Sequence, residues 1–158
     1  MPNILIVCTA NICRSPMGEA ILKKLVSERD DADQWHIESA GTWAIEGRDP
    51  AFLSKYVMEL MGMDISSHRS QPINLRMLQN FDLILTMEKD QKRLLKAQYV
   101  DFNDRIYMLS EMVDEEKDIP DPIGGELVYY QQIAQLLEHI LSDGLERIYT
   151  LSIEEHEI

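Results

Sequence analysis

Asn3-Ile4-Leu5-Ile6-Val7-Cys8-Thr9-Ala10-Asn11-Ile12-Cys13-Arg14-Ser15-Pro16 is the stretch on which the fold turns. From Ile4 to Cys8 the run is apolar and rich in β-branched residues. Continuity rather than alternation marks a strand covered on both faces. A short loop follows, then a helix start: Ser15 is placed to cap, Pro16 suits the first helical position, and Met17, Ile21 and Leu25 repeat at i, i+4. Strand, turn and helix in that order form the unit of a parallel α/β sheet.

The alternation continues downstream. Residues 35–39, 81–87 and 105–109 are strand candidates, with 40–42 as a turn after the second. Helices are expected over 50–61, 74–80, 88–97 and 127–141. The first of these carries Phe52, Leu53, Tyr56, Val57, Leu60 and Met61 on its apolar side, and Gly62 closes it. In Asp118-Ile119-Pro120-Asp121-Pro122-Ile123-Gly124-Gly125, prolines and glycines exclude regular structure. The last dozen or so residues are ambiguous between helix end, strand and frayed tail. The pattern predicts one α/β domain over 1–158, a doubly wound, four-stranded parallel sheet with helices on both faces. Such sheets bind ligands beyond the carboxyl ends of their strands, where the Cys8–Ser15 loop stands.

Composition narrows the function. The chain has 158 residues, 45% of them apolar, enough for an ordinary core in a single domain. Lys and Arg number 15 against 28 Asp and Glu, a formal net charge of −13, which argues against a nucleic-acid partner. No run approaches the roughly 20 apolar residues of a membrane span, and the N-terminal apolar run breaks at Thr9, too soon for a signal peptide. No membrane association and a cytoplasmic location are therefore expected. Two cysteines, Cys8 and Cys13, make neither a disulfide framework nor a zinc set.

The loop itself suits an oxyanion. Cys8 ends a strand, Arg14 precedes a helix N-terminus, and the five residues between can curl into a ring of backbone N–H groups. Arg14 can hold two phosphate oxygens with its planar fork. The same positive surroundings favour the nucleophilic thiolate of Cys8. A leaving alkoxide or phenoxide needs a proton donor, and Asp121, on a proline-stiffened loop, is suited to that work.

Cys8 to Pro16 together with Asp121-Pro122 closely resembles the low-molecular-weight protein-tyrosine phosphatase family. The resemblance extends through Ser39-Ala40-Gly41-Thr42, Asp64-Ile65-Ser66-Ser67-His68-Arg69 and Asp82-Leu83-Ile84-Leu85-Thr86-Met87, in unbroken order over about residues 3 to 141. It implies a flavodoxin-like topology, with Cys8 as nucleophile, Arg14 as phosphate and transition-state ligand, and Asp121 as general acid and then general base. Thr9, Ala10, Asn11, Ile12, Cys13 and Ser15 would form the phosphate-binding loop. Asn11 would fix its shape, and Ser15 would donate to the Cys8 thiolate. His68, Glu19 and Ser39 match its supporting residues, and Cys13 matches the redox partner that protects Cys8 through a reversible disulfide. No metal or other cofactor is implied.

Two departures stand out. Ala10 occupies a position where the family often has Gly, so the backbone there must tolerate a Cβ. After Asp121-Pro122 the chain has Ile123-Gly124 where tyrosine-preferring members commonly carry an aromatic pair. Ile12, Trp43 and Ile123 are the candidate pocket walls. Ile12 favours a phosphotyrosine protein or a small aryl phosphate as substrate. The Ile123-Gly124-Gly125 pattern resembles the protein-arginine phosphatase branch, the alternative reading. Arsenate reduction is disfavoured because no cysteine follows Cys13, and a silent phosphate-binding module would need neither nucleophile nor acid. A monomer is expected. Much of the negative charge lies in 111–118 and at the C-terminus, so it says little about the pocket; an acidic surface beside Asp121 would disfavour acidic sequences around the phosphorylated residue.

Overall fold

A computed structural model describes residues 1–154 of the chain. At its centre is β1 (Asn3–Cys8), whose Ile4, Leu5, Ile6 and Val7 are completely buried, each contributing roughly 1.5–3 kcal/mol relative to exposure. β1 pairs in parallel with β2 (His36–Gly41) on one side and β3 (Leu83–Thr86) on the other. β4 (Ile106–Met108) continues beyond β3, so the strand order is β2-β1-β3-β4.

The described helices are α1 (Arg14–Val26), α2 (Phe52–Leu60), α3 (Leu75–Asn80), α4 (Lys89–Gln98), α5 (Leu127–Asp143) and α6 (Leu145–Glu154). Side chains alternate across a strand, so β1 feeds two cores. Ile4 and Ile6 join the core built with α1, α2, α5 and α6. Leu5 and Val7 join the other, with Leu78 of α3 and Leu95 of α4. The sheet is doubly wound, as the alternation predicts. The chain leaves β1 toward β2 through α1 and later returns to β3 on the other side of β1. These connections diverge at the carboxyl end of β1, where Cys8 stands.

Several boundaries differ from the sequence expectation. Ala40 and Gly41 belong to β2 rather than to a turn, because pairing with Val7 and Cys8 runs to the end of β1. α1 starts at Arg14, two residues early. Ser15 is therefore not its cap; Cys13 stands at the cap position and makes no side-chain bond to the helix. Pro16 falls in the third position, still tolerated because first-turn N–H groups lack intrahelical partners.

α2 buries Val57 and Met58, while Phe52 and Leu60, expected on its apolar side, are exposed; the Phe52 ring stacks on Tyr56 instead. The ambiguous tail is largely helix. Ile148 of α6 is fully buried, and Tyr149 stacks on Trp35 with the Arg29 guanidinium against both rings. Residues 155–158 lie outside the described part. Among the described residues no helix is long and apolar enough to cross a membrane.

Candidate active site

The loop from Cys8 to Arg14 is held from outside by its carbonyls. Cys8 O accepts from Thr42 N, Thr9 O from Trp43 N, Asn11 O from His68 Nε2, and Ile12 O from Ala51 N. Cys13 O accepts from Met17 N in α1. A trans peptide directs its N–H opposite to its C=O. With these carbonyls turned outward, the N–H groups of Thr9, Ala10, Ile12, Cys13 and Arg14 turn toward the ring interior. That is an anion nest built by external tethering. β2 presses against it so closely that a Cβ on Gly41 would lie 2.4 Å from Thr9 O, so only glycine fits.

Asn11 gives the loop its bend. Its φ is 59°, a left-handed conformation that Asn tolerates better than most residues, whereas Ala10 keeps a negative φ and accommodates its Cβ. The Asn11 side chain is wholly buried and oriented by Gln71, whose backbone N–H donates to Oδ1 at 3.0 Å. Nδ2 then donates to Ser15 Oγ at 2.7 Å and to Ser39 Oγ at 3.0 Å. Each hydroxyl, having accepted, passes its own proton outward. Ser39 donates to Glu19 Oε1 at 2.7 Å, and Ser15 lies 2.9 Å from Cys8 Sγ with its proton free to donate there. A carbonyl can only accept, so the His68 Nε2 that bonds Asn11 O at 2.8 Å carries the proton.

Arg14 is 1% exposed, and its guanidinium is divided between scaffold and pocket. Nη1 donates to Glu88 Oε2 at 2.7 Å and to Ile119 O at 2.8 Å. Nη2 makes a long ion pair of 3.5 Å with Asp121 Oδ2, and Nε, also buried, has no partner among the described residues. The Nε–Nη2 edge thus remains for an oxyanion.

Asp121 is set by its own turn. Ile123 N donates to Asp121 Oδ1 at 3.1 Å, Gly125 N donates to Pro122 O at 2.8 Å, and Gly124 has φ 77°. This is the type II pattern that requires glycine at its third residue, and it explains why Gly124 follows Ile123.

These groups enclose a pocket of about 120 Å³ lined by Cys8, Thr9, Ala10, Ile12, Cys13, Arg14, Asp121 and Ile123. Ile12 and Ile123 are among the residues that line it. Trp43 is not part of the lining: its backbone tethers Thr9, while its indole is 80% exposed on the surface.

Cys13 reaches the pocket yet belongs to the core. Its Sγ lies 3.8 Å from Tyr130 Oη, and burial pushes the thiol from its ordinary 9.0 up to about 11. Burial, reinforced by that thiol, also raises the Tyr130 phenol. Between about pH 9 and 11 the unfolded chain has lost the Cys13 proton and the folded chain still holds it, so stability falls as pH rises through this window. Urea unfolding should show a loss of about 2–3 kcal/mol from this group across it. The Cys13→Ala variant should lose less stability over the same range; an unchanged slope would assign the effect elsewhere.

A model of the family described as low molecular weight phosphotyrosine protein phosphatase matches residues 3–151. The chain belongs to this family. It is 37% identical to the low molecular weight protein-tyrosine-phosphatase PtpB of Staphylococcus haemolyticus, over 88% of this chain and 94% of that protein. It is 32% identical to a protein-arginine-phosphatase of Bacillus subtilis, over 88% of this chain and 91% of that one. Among solved structures, the low molecular weight protein tyrosine phosphatase from T. tengcongensis superposes with a TM-score of 0.85 at 33% identity, covering 93% and 99% of the two chains.

Within this phosphatase fold, three residues that the sequence did not single out as site candidates complete the surroundings of the pocket. Glu88 holds Arg14, Gln91 holds Glu88 and Thr9, and Asp118 caps α4 by accepting from Lys89 N at 2.8 Å. Ile119 N donates to Met87 O, so the acid loop is docked on the start of α4. One signal was available: Glu88 and Gln91 stand at N-cap and N3 after β3, the spacing of a capping box beside the strand that neighbours β1.

Proposed function

We propose that the protein hydrolyses phosphate monoesters on phosphotyrosine side chains, or on small aryl phosphates, through a phosphocysteine at Cys8. The observation that carries this reading is the convergence of Cys8, the inward N–H groups of its loop, the Nε–Nη2 edge of Arg14 and Asp121 on one small pocket. Cys8 attacks phosphorus, the phosphorus–oxygen bond to the leaving group breaks, and Asp121 gives that oxygen a proton. Water then attacks the phosphocysteine, Asp121 takes the water's proton, and the sulfur–phosphorus bond breaks to release phosphate. The loop amides and Arg14 stabilise the charge that develops on the equatorial oxygens. Ile12 and Ile123 would flank an aromatic ring entering above them.

A second reading, phosphoarginine, is supported by the Bacillus subtilis relative and by the Ile123-Gly124-Gly125 pattern, whose Gly124 has φ 77°. Side-by-side kcat/KM for phosphotyrosine, phosphoserine and phosphoarginine substrates tests the choice. Phosphotyrosine should be fastest; a faster phosphoarginine would replace the first reading with the second. Turnover of none of them, nor of p-nitrophenyl phosphate, would end both.

The acid role of Asp121 has its own test. Asp121→Ala should slow phenyl phosphate by about 10²–10⁴-fold and the activated p-nitrophenyl ester much less, since a good leaving group needs little help from an acid. Equal losses on both would remove Asp121 from that role.

A further inference from the structure

α4 turns two buried residues inward, Gln91 and Leu95, and the one nearer the pocket is an amide where packing alone would favour an aliphatic chain. Gln91 is 5% exposed and its side chain is fully bonded. Oε1 accepts from Met87 N at 3.0 Å and Glu88 N at 2.9 Å, which closes the start of the helix. Nε2 donates to Thr9 Oγ1 at 3.0 Å and Glu88 Oε2 at 3.1 Å. That carboxylate oxygen is the one that holds Arg14 Nη1, and Thr9 is the residue next to Cys8. One amide therefore touches the support of the guanidinium and the first residue of the loop, with no bond to spare.

We propose that Gln91 is a positioning residue that locks Arg14, through Glu88, and the start of the phosphate loop, through Thr9, into a single geometry. The proposal rests on the phosphatase reading above and adds to it a residue eighty-odd positions from the nucleophile. The acceptor half of the amide caps α4. The donor half sets the site, and only a group that both accepts and donates serves both.

Gln91→Glu separates the halves. The introduced carboxylate keeps the oxygen that caps the helix, loses both donated bonds and sets a second negative charge against Glu88. Because the variant loses two buried hydrogen bonds and gains a like charge beside Glu88, melting should fall by about 5–10 °C while the protein stays folded at 25 °C. At neutral pH, kcat for p-nitrophenyl phosphate should fall by about 30-fold or more, and Ki for inorganic phosphate should rise by about tenfold, because a shift of about 1 Å at a reacting site costs on that order. The deficit relative to parent should narrow on acidification, where the introduced carboxyl regains a proton to donate. A variant within about twofold of parent in both constants, or one that loses kcat with unchanged phosphate Ki and no narrowing at acid pH, overturns the proposal.

If Gln91→Glu does not fold, the Thr9 arm decides. Thr9→Ser should match the parent, and Thr9→Val should lose at least about fivefold in kcat/KM; equal activities overturn the proposal. If the parent itself turns over no phosphoester, the functional reading fails alone. Calorimetric binding of inorganic phosphate to parent and Gln91→Glu then reads the same lock, with equal affinities counting against it.

Discussion

Cys8→Ser should abolish turnover, with kcat lower by at least about 10⁴-fold, while inorganic phosphate still binds within about threefold of the parent affinity. The asymmetry follows from how the site is divided. The oxyanion cradle is made of backbone N–H groups, turned inward because the loop carbonyls are tied to Thr42, Trp43, His68 and Ala51, and of Arg14. None of these is the Cys8 side chain. The Asn11–Ser15 hydrogen bond that directs a hydroxyl at Sγ would survive the substitution. What is lost is the sulfur assigned as nucleophile, since a serine hydroxyl is far less acidic than a thiol and the Ser15 hydroxyl beside it is no base. Steady-state kinetics with p-nitrophenyl phosphate and phosphate calorimetry measure the two halves. Turnover within tenfold of the parent would exclude Cys8 as the nucleophile.

Arg14→Lys should reduce kcat/KM by about 10³-fold, near 4 kcal/mol of transition-state stabilisation, although it preserves the charge. Arg14 does two things at once. Nη1 bonds Glu88 and Ile119, and the Nε–Nη2 edge remains for the oxyanion. A lysine ammonium is a single point and must choose between them. If it stays with Glu88 the oxyanion loses its fork; if it leaves, Glu88 and the Ile119 carbonyl lose a donor. Kinetics with thermal melting check this, and a loss under tenfold would show that one donor suffices.

Much of the architecture was legible because it is written in local periods. The unbroken run in β1 marked a strand buried on both faces, and Ile4 to Val7 are fully buried. Gly62, with φ 84°, follows α2 as its sequence position suggested. The failures share one cause. Ser15 looked like a helix cap because its neighbours suit that role, but burial beside Cys8 and Asn11 gave its hydroxyl other partners. Phe52 looked like a core residue by its spacing on α2, yet it is 77% exposed, since among the described residues nothing covers it but the neighbouring Tyr56 ring. Trp43 looked like a pocket wall because it follows β2, and its backbone was the part the loop used. α6 could not be read from its own residues, since Tyr149 finds its partners, Trp35 and Arg29, far upstream.

By itself, the sequence determined the strand, loop and helix that place Cys8 and Arg14 around one turn with five residues between them, and the alternation that makes the sheet parallel. Those are properties of spacing over a few residues, where backbone geometry leaves little choice. Only the tertiary structure decided which distant groups complete the site: Glu88 on Arg14, Gln91 between Glu88 and Thr9, Gln71 on Asn11, and Ile119 under the guanidinium. The partner of a buried donor is set by what packing brings within about 3 Å, and for Arg14 and Glu88 that meeting spans 74 positions of chain.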